Sequence, residues 1–179
     1  MEKWTRSNKK EILKAKVFKY FQVDVTSPDK EKQATFDIVA SLDWINVIAV
    51  TDEDEVLLIK QYRVGTDSIT VEIPGGGTEF GEDPIIAAKR ELLEETGYTS
   101  DRWEHLISVD VNPAFMINKC HAYLALNAKK TGEQSLDEFE EIEVIKVSKT
   151  DLKEMLKNNE ITHSLAYLAI YKYLYPEND

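Results

Sequence analysis

Hydrophobic positions fall into short runs separated by polar punctuation, and most runs have the length or spacing of a strand. Residues 11–25 carry Ile12, Val17, Phe18, Phe21, Val23 and Val25 and read as one strand-like stretch. Thr26-Ser27-Pro28-Asp29-Lys30 is a turn cluster, and residues 33–41 read as a second strand, giving a hairpin or meander. Near Asp43 the pattern changes. Ile45 to Val50 and Val56 to Ile59 are short apolar runs split by Thr51-Asp52-Glu53-Asp54-Glu55, which predicts two antiparallel core strands. Ile69 to Ile73 is a further strand that runs into Pro74-Gly75-Gly76-Gly77. Residues 103–111, 121–126 and 142–147 complete the strand set. Thr150 is the expected N-cap of a helix over 151–157. A last helix is expected over 161–175, with Leu165, Leu168, Ala169 and Leu174 on its apolar face and Pro176 after its end. The order predicts an α+β fold in which helices flank a mixed sheet. Residues 1–42 read as an N-terminal β unit and 43–179 as the main domain.

One helix interrupts the strands. Asp83 suits an N-cap, Pro84 the first helical position and Gly97 the left-handed residue past the end, so a helix spans 84–95. Ile85, Ala88 and Leu92 recur at core-facing spacing. Glu91, Glu94 and Glu95 stand at i, i+3 and i+4, so one side of the helix carries three carboxylates. Taken alone, that triplet is an ordinary solvated acidic face. As a site, its oxygen-only, highly charged donor set selects a hard divalent cation, Mg²⁺ or Mn²⁺. The preceding glycines let backbone groups approach a metal or phosphate closely.

Composition narrows the partners. The 179 residues suggest one domain with a small appendage. The 33 acidic residues outnumber the 22 basic ones, for a net charge of −11, which disfavours bulk binding to nucleic acid or anionic membrane. A chain this acidic that handles phosphate needs local arginines or a metal. Cys120 is the single cysteine, so no intrachain disulfide forms, and a reduced cytoplasmic setting is expected. Residues 1–16 are charged throughout without the apolar core of a signal peptide. No apolar run approaches the roughly 20 residues of a membrane span.

The spacing around the helix is more specific than its parts. Gly76 is followed after five residues by Glu82, then after seven by Arg90-Glu91-Leu92, and Leu93-Glu94-Glu95-Thr96-Gly97-Tyr98 completes the run. With ordinary residue usage, a chance match is below roughly one in a million. These residues form the full signature of the Nudix box, and the chain resembles Nudix hydrolases. Tyr98 stands where that family prefers an aliphatic residue. The resemblance implies an α/β/α sandwich with a mixed sheet and hydrolysis of a diphosphate linked to another group, with Mg²⁺ (or Mn²⁺) as cofactor. It implies Glu91 and Glu95 as metal ligands, with Glu94 close behind and the Gly75 carbonyl in addition. Arg90 is expected to orient a box glutamate by ion pairing, with Glu82 either a ligand or a partner of Arg90.

The flanks narrow the branch. Gln61-Tyr62-Arg63, Glu72-Ile73-Pro74-Gly75-Gly76, and Pro113 sixteen residues beyond Gly97 resemble the ADP-ribose pyrophosphatase branch. In that branch the N-terminal strand unit commonly mediates a homodimer and contributes to the adenine pocket. The resemblance implies that Arg63 contacts diphosphate or ribose, against a plain surface cation. It implies that Glu72 contacts the terminal ribose, against an edge-strand glutamate. The acidic run Asp137-Glu138-Phe139-Glu140-Glu141 is by itself a solvated loop; by resemblance it carries the catalytic base, Glu138 first and Glu140 next, on a mobile segment. His105, His121 and His163 read as structural or exposed. Trp4, Phe18, Tyr20 and Phe21 read first as packing, with adenine stacking as the alternative. The expected function is hydrolysis of ADP-ribose to AMP and ribose 5-phosphate. The alternatives are another nucleotide sugar such as GDP-mannose, a dinucleotide, an oxidised nucleoside triphosphate, or a non-catalytic nucleotide sensor.

Overall fold

The structure is a computed structural model, and it describes residues 1–176. The chain falls into two compact units, residues 1–43 with 110–119, and residues 44–109 with 120–179. The first holds three antiparallel strands in the order β1 (Thr5–Lys14), β2 (Lys19–Thr26), β3 (Gln33–Ala40). The stretch expected as one strand over 11–25 is therefore two. The chain turns at 15–18, where the Ala15 amide donates to the Phe18 carbonyl at 2.9 Å. Apolar periodicity misses this break because the turn itself carries Val17 and Phe18, both exposed. The segment 110–119 joins the end of β3, with the Val39 amide donating to the Phe115 carbonyl and the Ile117 amide to the Val39 carbonyl.

The second unit is a mixed sheet with helices on both faces. Its strands are β4 (Trp44–Thr51), β5 (Glu55–Arg63), β6 (Ser68–Glu72), β7 (Tyr98–Thr99), β8 (Arg102–Asp110), β9 (Lys119–Lys130) and β10 (Ile142–Ser148), the ends of β8 and β9 reaching into the first unit's segment. The order is β10-β5-β4-β9-β7, with β6 on β5 and β8 on β9. β4 and β9 run parallel, and β4 and β5 form the expected antiparallel pair. β4 is apolar on both sides because both are covered. Ile45, Val47 and Ala49 pack towards Ala87, Ala88 and Leu92 of α1 (Pro84–Thr96). Ile48 and Val50 join the cluster that holds Leu152 and Leu156 of α2 (Lys149–Lys157) and Ala166, Ala169 and Ile170 of α3 (Ser164–Leu174). Leu92 is fully buried, and truncating it to alanine would cost about 2–5 kcal/mol.

The caps of α1 follow the sequence: the Asp83 carboxylate accepts from the Ile85 amide, and Gly97 sits at φ 74°. The later helices start differently. Ser148, not Thr150, caps α2, its hydroxyl accepting from the Asp151 amide at 3.0 Å. Both residues have capping chemistry, and the end of β10 decides between them. α3 begins at Ser164, with His163 as the cap and Ile161 buried outside the helix. Its buried ridge is Ala166, Ala169 and Ile170, while Leu165 and Leu168 are only partly covered. The two-residue β7, pairing with the end of β9, lacks any periodic signal. Among the described residues no helix is long and apolar enough to cross a membrane.

Candidate active site

Two backbone features bring the glycine loop onto α1. The Ile45 amide donates to the Gly76 carbonyl and the Val47 amide to the Pro74 carbonyl, so β4 holds the loop from one side. From the other, the Gly75 amide donates to the Glu95 carboxylate at 2.8 Å. A Cβ on Gly76 would collide with the carboxylate of Glu91. That carboxylate can swing aside, whereas a Cβ on Gly75 would strike the fixed Ile45 backbone carbonyl, so glycine at 75 is the packing requirement.

Arg90 organises the carboxylates. Its Nε and Nη2 donate to the two oxygens of Glu82, both at 3.1 Å. Nη1 donates to Glu91 at 2.7 Å and to Glu94 at 3.1 Å, and Nη2 also reaches the Gly77 carbonyl at 3.1 Å. These contacts use the five-donor fork of a guanidinium fully, and lysine has no equivalent. Hydrogen bonding from Arg90 holds Glu82 below the usual carboxylate range. Burial pushes Glu91 up, and Arg90 only partly offsets it. Glu95 is 3% exposed, and burial pushes its carboxyl up to about 8 despite the Gly75 amide and the charge of Arg63.

Arg63 approaches from β5. It forks onto Glu72 with Nε and Nη2, each at 2.9 Å. Glu72 is 3% exposed and also accepts from the Thr70 hydroxyl at 2.6 Å. Burial raises the Glu72 carboxyl, but the bonds from Arg63 and Thr70 outweigh it and leave the group below its ordinary value. The Trp44 ring lies 5.8 Å from the guanidinium carbon. His163 Nδ1, which caps α3, stands 4.0 Å from Glu72, and burial lowers its pKa.

A cavity of about 460 Å³ joins these parts. Gly75, Arg63, Arg90, Glu91, Glu94, Glu95 and Glu140 all line it. Glu72 lies behind Arg63, with both oxygens committed to it. Glu138 is exposed and is not in the cavity wall, and Pro113 belongs to the first unit. Trp44, Glu79, Ser135 and Leu136 also line the cavity. No sequence pattern singled them out: Trp44 is simply the first residue of a strand, and Ser135 and Leu136 sit in a loop without a motif.

The donor set suits a hard divalent cation: carboxylate oxygens around a polar cavity, with one of them, on Glu95, deeply buried. Among the described residues the acidic groups do not close on a common point. Arg90 takes Glu91 and Glu94, and the Gly75 amide takes Glu95.

A mixed sheet between helices, with a glycine loop seated on a glutamate-bearing helix, is the arrangement of a Nudix hydrolase. The NUDIX domain model matches residues 43–168, and the chain belongs to this family as a Nudix pyrophosphohydrolase. It is 34% identical over 163 residues to the ADP-ribose pyrophosphatase of Bacillus subtilis (strain 168), covering 90% of this chain and 88% of that protein. It is also 34% identical over 161 residues to the methanol dehydrogenase activator of Bacillus methanolicus, covering 89% and 86%. The crystal structure of an ADP compounds hydrolase superposes with a TM-score of 0.84 at 20% identity, covering 96% of this chain and 92% of that one. Members of the family generally act with a divalent metal.

Proposed function

We propose that this chain hydrolyses ADP-ribose to AMP and ribose 5-phosphate with Mg²⁺ as the working ion and Mn²⁺ as a substitute. The observation that carries this is the common cavity of Arg63, Glu91, Glu94, Glu95 and Glu140, a cation-ready acidic wall facing an arginine. One relative matched over nearly its full length, the ADP-ribose pyrophosphatase of Bacillus subtilis (strain 168), supports the substrate.

Glu91 and Glu95, with Glu94 and the Gly75 carbonyl, would hold the ion. When bound, it neutralises the diphosphate and acidifies water. The chain's own groups do the rest. Arg63, oriented by its fork on Glu72, turns its remaining N–H bonds towards the anionic diphosphate. Trp44 beside it offers an aromatic face to the sugar or base. Arg90 holds the carboxylates of Glu91 and Glu94 in place at the cavity wall. Glu140 serves as the base: it takes a proton from water as the water oxygen bonds to phosphorus and the bridging oxygen leaves with the other phosphate. Glu140 is favoured over Glu138 because it lines the cavity and its charge is felt by Glu91, Glu95 and Arg63.

The chain also works as a homodimer in this account. Trp4, Val25 and Phe36 of the first unit border an apolar groove of about 370 Å³, and Trp4 and Phe36 are exposed. Residues 1–42 then supply the dimer contact, and Pro113 lies on the same unit. The enzyme works in the cytoplasm. A panel of ADP-ribose, GDP-mannose, a dinucleotide and an oxidised nucleoside triphosphate, assayed with Mg²⁺, tests the substrate. ADP-ribose should give the highest kcat/KM, and equal or faster turnover of any other member rejects it.

A further inference from the structure

The last carbonyls of a helix have no partner within it and must be met from elsewhere. In α1 the Leu93 carbonyl is taken by the Gly97 amide at 2.8 Å. The following acceptors are met by the connection between β9 and β10. The Ser135 amide donates to the Glu94 carbonyl at 2.8 Å, and the Thr131 and Gly132 amides donate to the Gly97 carbonyl at 2.9 and 3.1 Å. A Cβ on Gly97 would strike the Gly132 carbonyl, so the box's terminal glycine is a docking seat as well as a left-handed turn. The Glu95 carbonyl accepts from the side chain of Gln134 at 2.6 Å.

That same Gln134 nitrogen also donates to the Ile142 carbonyl, at 3.1 Å, where the chain re-enters the sheet as β10. One amide group therefore fastens the start of the loop, its end and the end of the box helix together. Glu140 lies inside the segment so closed. Its amide donates to the Asp137 carbonyl at 3.0 Å, and the segment's Ser135, Leu136, Asp137 and Glu140 line the active-site cavity. Glu95 thus holds the glycine loop with its carboxylate and the acidic loop's neck with its carbonyl.

Building on the role proposed above for Glu140, we infer that Gln134 is a positioning residue that sets the Glu140 loop in register with the carboxylates of α1. It touches no substrate. Its two N–H bonds close the neck of a loop that would otherwise sample many conformations, and they fix the distance from a general base to the cavity. A misplacement of about 1 Å is enough to slow chemistry by about 100-fold, so the expected cost of losing the clamp falls on kcat.

The test uses Gln134→Met, which keeps the length of the side chain and removes both donors, in the full chain with Mg²⁺. The expected result is a kcat reduced about 10- to 100-fold, with KM and the Mg²⁺ concentration for half-maximal rate within about twofold of the parent. In a Glu140→Gln background the same change should add almost nothing, because Gln134 acts through Glu140. A separate measurement needs no substrate: in hydrogen exchange, the amides of residues 131–136 should lose protection in Gln134→Met while those of α1 upstream of Glu94 keep theirs. Gln134→Glu, which places an acceptor against the two carbonyls, serves as the second variant and should lose at least as much. Parent-like kcat, multiplicative losses with Glu140→Gln, or unchanged exchange at 131–136 would overturn the role of Gln134. A parent without turnover of any nucleotide diphosphate would instead reject the proposed function, and the exchange measurement would still decide the clamp.

Discussion

The amide of Gly75 donates to the carboxylate of Glu95 across 20 residues of sequence, at 2.8 Å. This bond joins the glycine loop to the far end of the box helix, where Glu95 is buried and the attraction of Arg63 offsets little of the cost of its charge. Burial places its carboxyl at about 8, against 4.5 for the ordinary group. Its folded pKa is raised, so the folded state binds the extra proton between those values. The cost of ionising Glu95 is absent below about pH 4.5, grows as pH rises, and is complete above about pH 8. Glu95→Gln keeps an acceptor for Gly75 and removes the charge. In EDTA the variant should be more stable than the parent by on the order of 2–4 kcal/mol at pH 8.5 and by little at pH 5. Urea unfolding at the two pH values checks this, and a pH-independent difference would contradict it.

Arg90 should resist conservative replacement. Lysine cannot reach Glu82, Glu91, Glu94 and the Gly77 carbonyl together. Arg90→Lys is expected to lower metal-free stability by about 1–3 kcal/mol, since it leaves partly buried carboxylates unpaired. A divalent cation should recover part of the loss. Thermal denaturation with EDTA and with Mg²⁺ reads both effects.

Arg63 and Glu72 should behave as a coupled pair. Removing the arginine alone strands a carboxylate that is 3% exposed, and Arg63→Met is expected to cost about 3–5 kcal/mol. Adding Glu72→Gln should recover much of that, with a coupling energy of about 1–3 kcal/mol in a double-mutant cycle. Additive costs would mean that the fork at 2.9 Å is not holding Arg63.

Sequence reached the centre of the site and stopped at its margins. The box residues were legible because their spacing is dictated by one helix and one glycine loop, so local geometry and sequence distance agree. Arg63 and Glu72 were legible as chemistry, but their pairing was not: it depends on the register of β5 and β6, in which Arg63 faces Ser68 and Ile59 faces Glu72. The acidic loop offered two glutamates, and only its folding separates Glu140, in the cavity wall, from exposed Glu138. Gln134 had no signal, since a glutamine in a loop is ordinary until its partners are known. In the fold, β4 and β5 were clear from their apolar runs, whereas the break between β1 and β2 was hidden by exposed apolar residues in the turn.

Phe36→Glu puts a charge into the groove bordered by Trp4 and Val25. In light scattering the parent should have about twice the mass of its 20.5 kDa chain, and the variant should shift towards the monomer. A monomeric parent would remove the dimer from the account.

In the function proposed here, the box carboxylates and the cavity they line hydrolyse the diphosphate of ADP-ribose. Its most direct test is AMP release from ADP-ribose under saturating Mg²⁺ by the parent and by Glu95→Gln, measured side by side. The parent should yield AMP and ribose 5-phosphate in equal amounts, and the variant should lose kcat by about 10³-fold or more, on the order of 4 kcal/mol of transition-state stabilisation. A variant that keeps the parent's full rate, or a parent that leaves ADP-ribose intact, would contradict the account.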